Sequence, residues 1–434
     1  MKIAILGLWH SGEVYSACLA DLGYKIIGID ENTKIVNNLN HGTAPLAEPK
    51  LESIIKKNIK KGRLKYSTDF SSLSACDVVW ITVDTPLEKE DQGDLSEIFN
   101  YTNKALPYLK KGVLIIISSQ LPVGTSAKII KFVSASRKNF KFDYAYQPEN
   151  LRLGEAINNF MKPSRIIIGM NNLKRRKEIT NIFRKLKTKI LVMNVTSAEM
   201  VKHATNAFLA TSLCFIYDIA DICERVGADI TDVTQGLRAD ERIGEGAYLD
   251  ASAGFSGGHL ERELNYLRKV AGSRKIKLPV IASVVRKNNG RRKIVFKKIS
   301  PLLGTFKNKR VTFLGITYKS GTPTLTSSLP IVLAKEMLFK GSKINLCDPW
   351  INKDEITKEI AAGKYSYFAD PYKSAWSSHV IICITPWEDL KKLDFRKIAS
   401  LMASPKIFFD ARNYFSNMKD IIEDAGIKYI GVGR

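Results

Sequence analysis

Residues 1–30 read MKIAILGLWHSGEVYSACLADLGYKIIGID. An apolar run, KIAILGL, leads into the turn Gly7-Leu8-Trp9-His10-Ser11-Gly12, then an amphipathic stretch, then a second apolar run ending in Asp30. Strand, glycine turn, helix and strand in this order predict a dinucleotide-binding βαβ unit. In it Gly7 makes the tight turn, Gly12 lets helix and strand approach, and the helix N-terminus faces a pyrophosphate. Asp30 lies 23 positions past Gly7, a spacing suited to a ribose hydroxyl and to NAD over NADP. The middle glycine of the fingerprint is replaced by Trp9. For a cofactor to dock, the indole must swing outward or the pyrophosphate must sit higher on the helix. His10, Ser11 and Glu13 interrupt the apolar run, so the segment is not read as a signal peptide.

The same alternation continues through VVWITVD, GVLIIISS, FDYAYQP, RIIIGM and KILVMNV. Near-continuous apolar strands separated by helical stretches predict a doubly wound parallel sheet, α/β in class, filling residues 1–195. From Thr196 to Val226 no Pro or Gly occurs. This predicts one helix of about thirty residues, roughly 45 Å long, capped by Thr196 or Ser197 and stopped by Gly227. A helix so long and apolar suits a domain connector or a dimer seam. Further helices are expected to about residue 300. A second alternation (RVTFLGITY, KINLCDPW, HVIICITPW, KIFFDARNYF) predicts another Rossmann-like unit over 301–434. Two such units flanking a helical middle segment, 196–300, is the expected architecture.

At 434 residues the chain exceeds one ordinary core, and 45% hydrophobic with 25% charged residues is a globular balance. No uninterrupted apolar stretch is long enough to read as a membrane span. The net charge of +24 is dispersed in short clusters such as Arg175-Arg176-Lys177 and Arg291-Arg292-Lys293, without interleaved aromatics. It is read as a solvated surface that attracts anionic substrates, not as a nucleic-acid interface. Six scattered cysteines without a CxxC pair read as buried thiols, and the histidines show no metal-ligand spacing with them. A cytoplasmic protein without a metal is expected.

A dozen segments, in order along nearly the whole chain, resemble one family. They include TVDTPLEKEDQGDLS, SSQLPVGT, YQPENLRLGEAI, AEMVKHATNAFLATSLCFIYDIADICERVGADI, DERIG, GFSGGH, GITYKSGTPTLTSS, CDPW and FDARNYF. The chain resembles the UDP-glucose/GDP-mannose dehydrogenases, which oxidise a sugar alcohol to a carboxylate with two NAD+ and serve polysaccharide biosynthesis. The resemblance implies NAD as cofactor, a nucleotide-sugar substrate and a homodimer formed through the central helix. Lys202 and Asn206, four apart and so on one helix face, match the residues that hold the oxyanion and a water. Glu149 matches the first carboxylate of the family's N-P-E-F-L motif, with Leu151 beside it at the substrate. Arg242, Phe255, Gly257 and Lys319 match further substrate contacts, the arginine reaching across a dimer interface in relatives. Lys34, Thr85, Gln120 and Arg262 match positions around the cofactor.

Several of these positions depart from the family pattern. Gln120 replaces a threonine, Leu153 a second carboxylate, Thr326 an arginine and Glu263 an aspartate. The largest departure is in GFSGGHLERE, residues 254–263, where His259 stands at the nucleophilic cysteine; the variant pairing puts Leu260 there. The family's second oxidation needs a thiolate, which forms a thiohemiacetal, then a thioester. The sequence therefore points to a nucleotide-sugar oxidoreductase that stops short of the uronate. Its alternative is an inactive relative serving a binding or assembly role.

Overall fold

The computed structural model describes the chain except residues 47, 86–93, 256–257, 323, 326 and 352, and only the backbone of 258 and 259. It forms two compact units, Met1–Ala204 and Thr205–Arg434, with the boundary inside the helix Val195–Val226.

In the first unit eight strands form one sheet: β1 (Lys2–Leu6), β2 (Lys25–Ile29), β3 (Leu64–Ser67), β4 (Val78–Ile81), β5 (Val113–Ile117), β6 (Phe142–Tyr146), β7 (Ile166–Met170) and β8 (Ile190–Asn194). Their order is β3-β2-β1-β4-β5-β6-β7-β8. The first six are parallel, and the order reverses between β1 and β4, which opens a crevice beyond their carboxyl ends. The sheet is not parallel throughout, because β6 and β7 pair antiparallel before β7 and β8 run parallel again. Apolar runs fix where strands lie but not which way they point. Both faces are covered, since Ile3, Ile5 and Trp80 pack in one buried cluster while Ala4, Leu6 and Ile81 pack in the other.

In the second unit the helices Ile230–Ala239, Gly258–Ser273, Pro279–Arg291 and Lys293–Leu303 precede a parallel sheet. Its strands are β9 (Arg310–Leu314), β10 (Lys343–Cys347), β11 (Tyr365–Phe368), β12 (Val380–Cys383), β13 (Ile407–Asp410) and β14 (Lys428–Ile430), ordered β11-β10-β9-β12-β13-β14. The short strands β3, β11 and β14 carry no long apolar run and were not expected from sequence.

The long helix starts one residue earlier than expected. Its cap is not Thr196 or Ser197 but Asn194, whose Oδ1 accepts the Ser197 N–H at 2.8 Å. By length and composition alone this helix could cross a bilayer, and 44% of its most apolar window is buried inside the protein. Its Glu199 is fully buried and caps a second helix, Thr125–Ser136, from a distance. Oε2 accepts Gly124 N–H at 2.6 Å and Oε1 accepts Ser126 N–H at 2.8 Å. Glu199→Ala strands both amides in a dry site, and a loss of about 2–4 kcal/mol is expected in denaturant titration. A loss below about 0.5 kcal/mol would show that the cap is not structural.

Candidate functional site

The dinucleotide turn follows β1. Gly7 has φ +85°, its N–H donates to Ile29 O at 3.0 Å, and its carbonyl accepts from Thr82 Oγ1 at 2.9 Å. A Cβ at Gly12 would lie 1.8 Å from Gly7 O, so only glycine lets the helix His10–Asp21 start this close to the strand. Asp30 stands at the end of β2 and accepts Leu8 N–H at 2.7 Å and Asn32 N–H at 2.9 Å, which fixes its carboxylate against the turn. Trp9 is 44% exposed, so the indole is turned outward instead of packing into the turn. Its side chain caps no amide, and the first intrahelical bond is Glu13 N–H to Trp9 O at 3.0 Å. The preceding N–H groups and the helix dipole suit an anion. These residues fit a dinucleotide. Near them Thr85 Oγ1 donates to Gln120 O at 3.1 Å, which brings two expected cofactor positions together. Lys34 is exposed and is placed at the start of the helix Thr33–Asn40 by its N–H bond to Asn32 Oδ1.

The second element of the first unit is the segment after β6. Glu149 folds back so that its Oε1 accepts the Leu151 N–H. Lys202 Nζ donates to Glu149 O at 2.7 Å and to Asn150 Oδ1 at 3.2 Å, so the expected lysine meets residue 149 at its backbone carbonyl. Burial raises the Glu149 carboxyl, while Lys202, the Leu151 N–H and His10 pull it down and Asp84 pushes it up again. An acid so balanced, next to an ammonium, can exchange a proton with an alcohol while the ammonium stabilises the oxyanion. Asn206 lies one turn further along the same helix. One neighbour was not legible in the sequence: His203, whose ring Nε2 lies 3.0 Å from Leu121 O.

In the second unit Gly254 has φ +121° and Phe255 is clamped by Asn288. Phe255 N–H donates to Asn288 Oδ1 at 3.0 Å, and Asn288 Nδ2 donates to Phe255 O at 3.1 Å. Buried Arg291 supports the same loop by donating to Ser252 O at 2.9 Å and pairing with Asp221. Neither Asn288 nor Arg291 belonged to a recognisable motif. Glu263 is buried beside Arg262, 3.6 Å away. Gly257, Thr326 and the side chain of His259 lie outside the described residues. Arg242 is exposed, held by Asp240 at 2.6 Å, and Lys319 is exposed on the segment after β9.

A glycine cradle at a sheet switch point, with Glu149 and Lys202 on the same unit, fits a dinucleotide-dependent oxidoreductase. Three family models match the chain: the NAD binding domain of the UDP-glucose/GDP-mannose dehydrogenase family over residues 1–187, its central domain over 196–290 and its UDP binding domain over 312–417. The UDP-glucose 6-dehydrogenase of Rickettsia typhi is 33% identical, with 100% of this chain and 99% of that protein covered. That of Bacillus subtilis is 30% identical, covering 100% and 93%. The solved UDP-glucose dehydrogenase of Pyrobaculum islandicum superposes with a TM-score of 0.87 at 26% identity, covering 100% and 97%. The chain belongs to the UDP-glucose/GDP-mannose dehydrogenase family; NAD is its cofactor and a nucleotide sugar its substrate class.

Lys202→Met removes the main influence that lowers Glu149. The acid limb of the kcat/KM profile should then move to higher pH, as kcat falls by roughly 100-fold or more. An unmoved limb would detach Glu149 from that titration.

Proposed function

We propose that the protein removes one hydride from a nucleotide sugar and does not carry the oxidation through a thioester to the uronate. NAD bound at the Gly7–Gly12 turn supplies the hydride acceptor. Lys202 and Asn206 hold the alcohol oxygen as it becomes an oxyanion, and Glu149 takes its proton directly or through a water. The observation that carries the restriction to one oxidation is the state of the thiols. The resemblance puts His259 or Leu260, and in neither pairing a cysteine, at the nucleophile position, and all six cysteines are buried. Burial raises the thiols of Cys18, Cys76, Cys214, Cys347 and Cys383, with Cys214 pushed up to about 11 and Cys347 to about 12. A buried, protonated thiol is neither nucleophile nor leaving group.

The same reading has two copies pairing through the long helix. Phe208, Phe215 and Ile222 recur every seven residues on it and are 71%, 52% and 55% exposed. That is the spacing of a helix–helix seam. Six buried free thiols also suit a reducing compartment such as the cytoplasm.

Incubation with NAD+ and a panel of UDP- and GDP-linked sugars should give NADH and a carbonyl product for at least one of them. Tight binding of NAD+ and a nucleotide sugar with no NADH from any would contradict this reading and favour a binding or assembly role.

A further inference from the structure

Glu13, in the first turn of the dinucleotide helix, is fully buried. Neither of its carboxyl oxygens has a hydrogen-bond partner among the described residues. Glu48 meets the same helix at His10, three residues before Glu13; its side chain is 1% exposed and its oxygens are both engaged. Oε1 accepts Ala156 N–H at 2.8 Å; Oε2 accepts Gly154 N–H at 2.8 Å and lies 3.2 Å from His10 Nε2. Glu48 thus caps the short helix Ala156–Met161, whose own cap residue offers no side-chain bond. It also ties that helix to the first residue of the dinucleotide helix. Gly154 and Ala156 lie three and five residues past Leu151, so one carboxylate joins the start of the dinucleotide helix to the segment that carries Glu149.

We propose that Glu48 is a positioning residue for the reaction, and that the proton on Glu13 sets how firmly it holds the 149–156 segment. This rests on the reading of that segment as part of the reacting centre. Two adjacent carboxyls in a dry pocket resist a second negative charge. Glu48 accepts two amides and lies against an imidazole, whereas neither oxygen of Glu13 has such a set of partners among the described residues. Burial, then Glu48, then more weakly Glu52 push Glu13 up to about 8, with only the Leu46 backbone N–H working the other way. The Tyr66 hydroxyl, 3.1 Å from Ser16 Oγ, and the Cys18 thiol are further titratable groups near this cluster. When Glu13 ionises, the charge is relieved by displacing Glu48, which frees Gly154 and Ala156.

The sign of the stability effect follows from the raised value. The unfolded chain loses the Glu13 proton near the ordinary glutamate value while the folded chain keeps it to about 8, so stability falls with rising pH between those limits and levels off above. Glu13→Gln, with Glu13→Leu as a second variant should the amide fold poorly, removes this dependence.

Two measurements on the NAD-free protein need no turnover. The stability gain of Glu13→Gln over wild type should grow from about pH 5 to about pH 8 and then flatten. Amide hydrogen exchange of residues 150–160, corrected for its intrinsic pH dependence, should accelerate above about pH 8 in wild type but not in Glu13→Gln. Glu48→Gln should show the faster exchange at every pH. In turnover, Glu48→Gln should raise KM for the nucleotide sugar by roughly ten-fold, more than it lowers kcat. A pH-independent difference between Glu13→Gln and wild type, or unchanged exchange in Glu48→Gln, would overturn the proposal. Exchange and stability that behave as stated with no turnover in any variant would leave the joint standing and refute the catalytic reading instead.

Discussion

Buried carboxylates that accept backbone N–H groups hold the turns of both units. Asp30 receives Leu8 and Asn32, Glu48 receives Gly154 and Ala156, and Glu199 receives Gly124 and Ser126. In the second unit Asp348, fully buried, receives Ile316, Thr317 and Trp350 together with the Trp387 indole N–H at 3.1 Å. Strand ends and helix starts leave amides unpaired, and a charged acceptor satisfies them at about 1.5–3 kcal/mol per bond. The two Rossmann-like units use the same device at the same place. In each, the residue after a positive-φ glycine, Gly7 or Gly315, donates to an aspartate following the neighbouring strand.

This arrangement explains how a chain with Trp9 in its fingerprint keeps its turn. The glycine that the packing requires is Gly12, which meets the Gly7 carbonyl, and that position is retained. At Trp9 the backbone has φ −80°, open to any side chain, and the indole points outward. The departure therefore bears on what lies over the turn and not on whether the turn forms.

Apolar runs and glycine spacing made both sheets, the dinucleotide turn and the long helix legible in the sequence. The antiparallel junction of β6 and β7 was not, since an apolar run has no direction. The edge strands β3, β11 and β14, of three or four residues, lacked the pattern altogether. At the site, motif matching located Glu149 and Lys202, yet their meeting through a backbone carbonyl could not be read from residue types. Glu48 finds its partners 38 and 106 positions away in the chain, and Asn288 reaches Phe255 over 33. Nothing local marks such residues. Glu13 leaves a trace, since with His10 and Ser11 it interrupts the apolar run, but that pattern speaks only against a signal peptide.

The function follows from the same separation of retained and altered parts. In the proposed reading Lys202 and Glu149, joined at the Glu149 carbonyl, serve the first oxidation, whereas the thiol chemistry of a second is set against six buried cysteines. The most direct measurement is the amount of NADH formed per nucleotide sugar consumed, taken to completion with uniformly carbon-13-labelled sugar so that the product carbon is identified by NMR. The account predicts one NADH per sugar and an aldehyde or ketone carbon. Two NADH and a carboxylate carbon would contradict it.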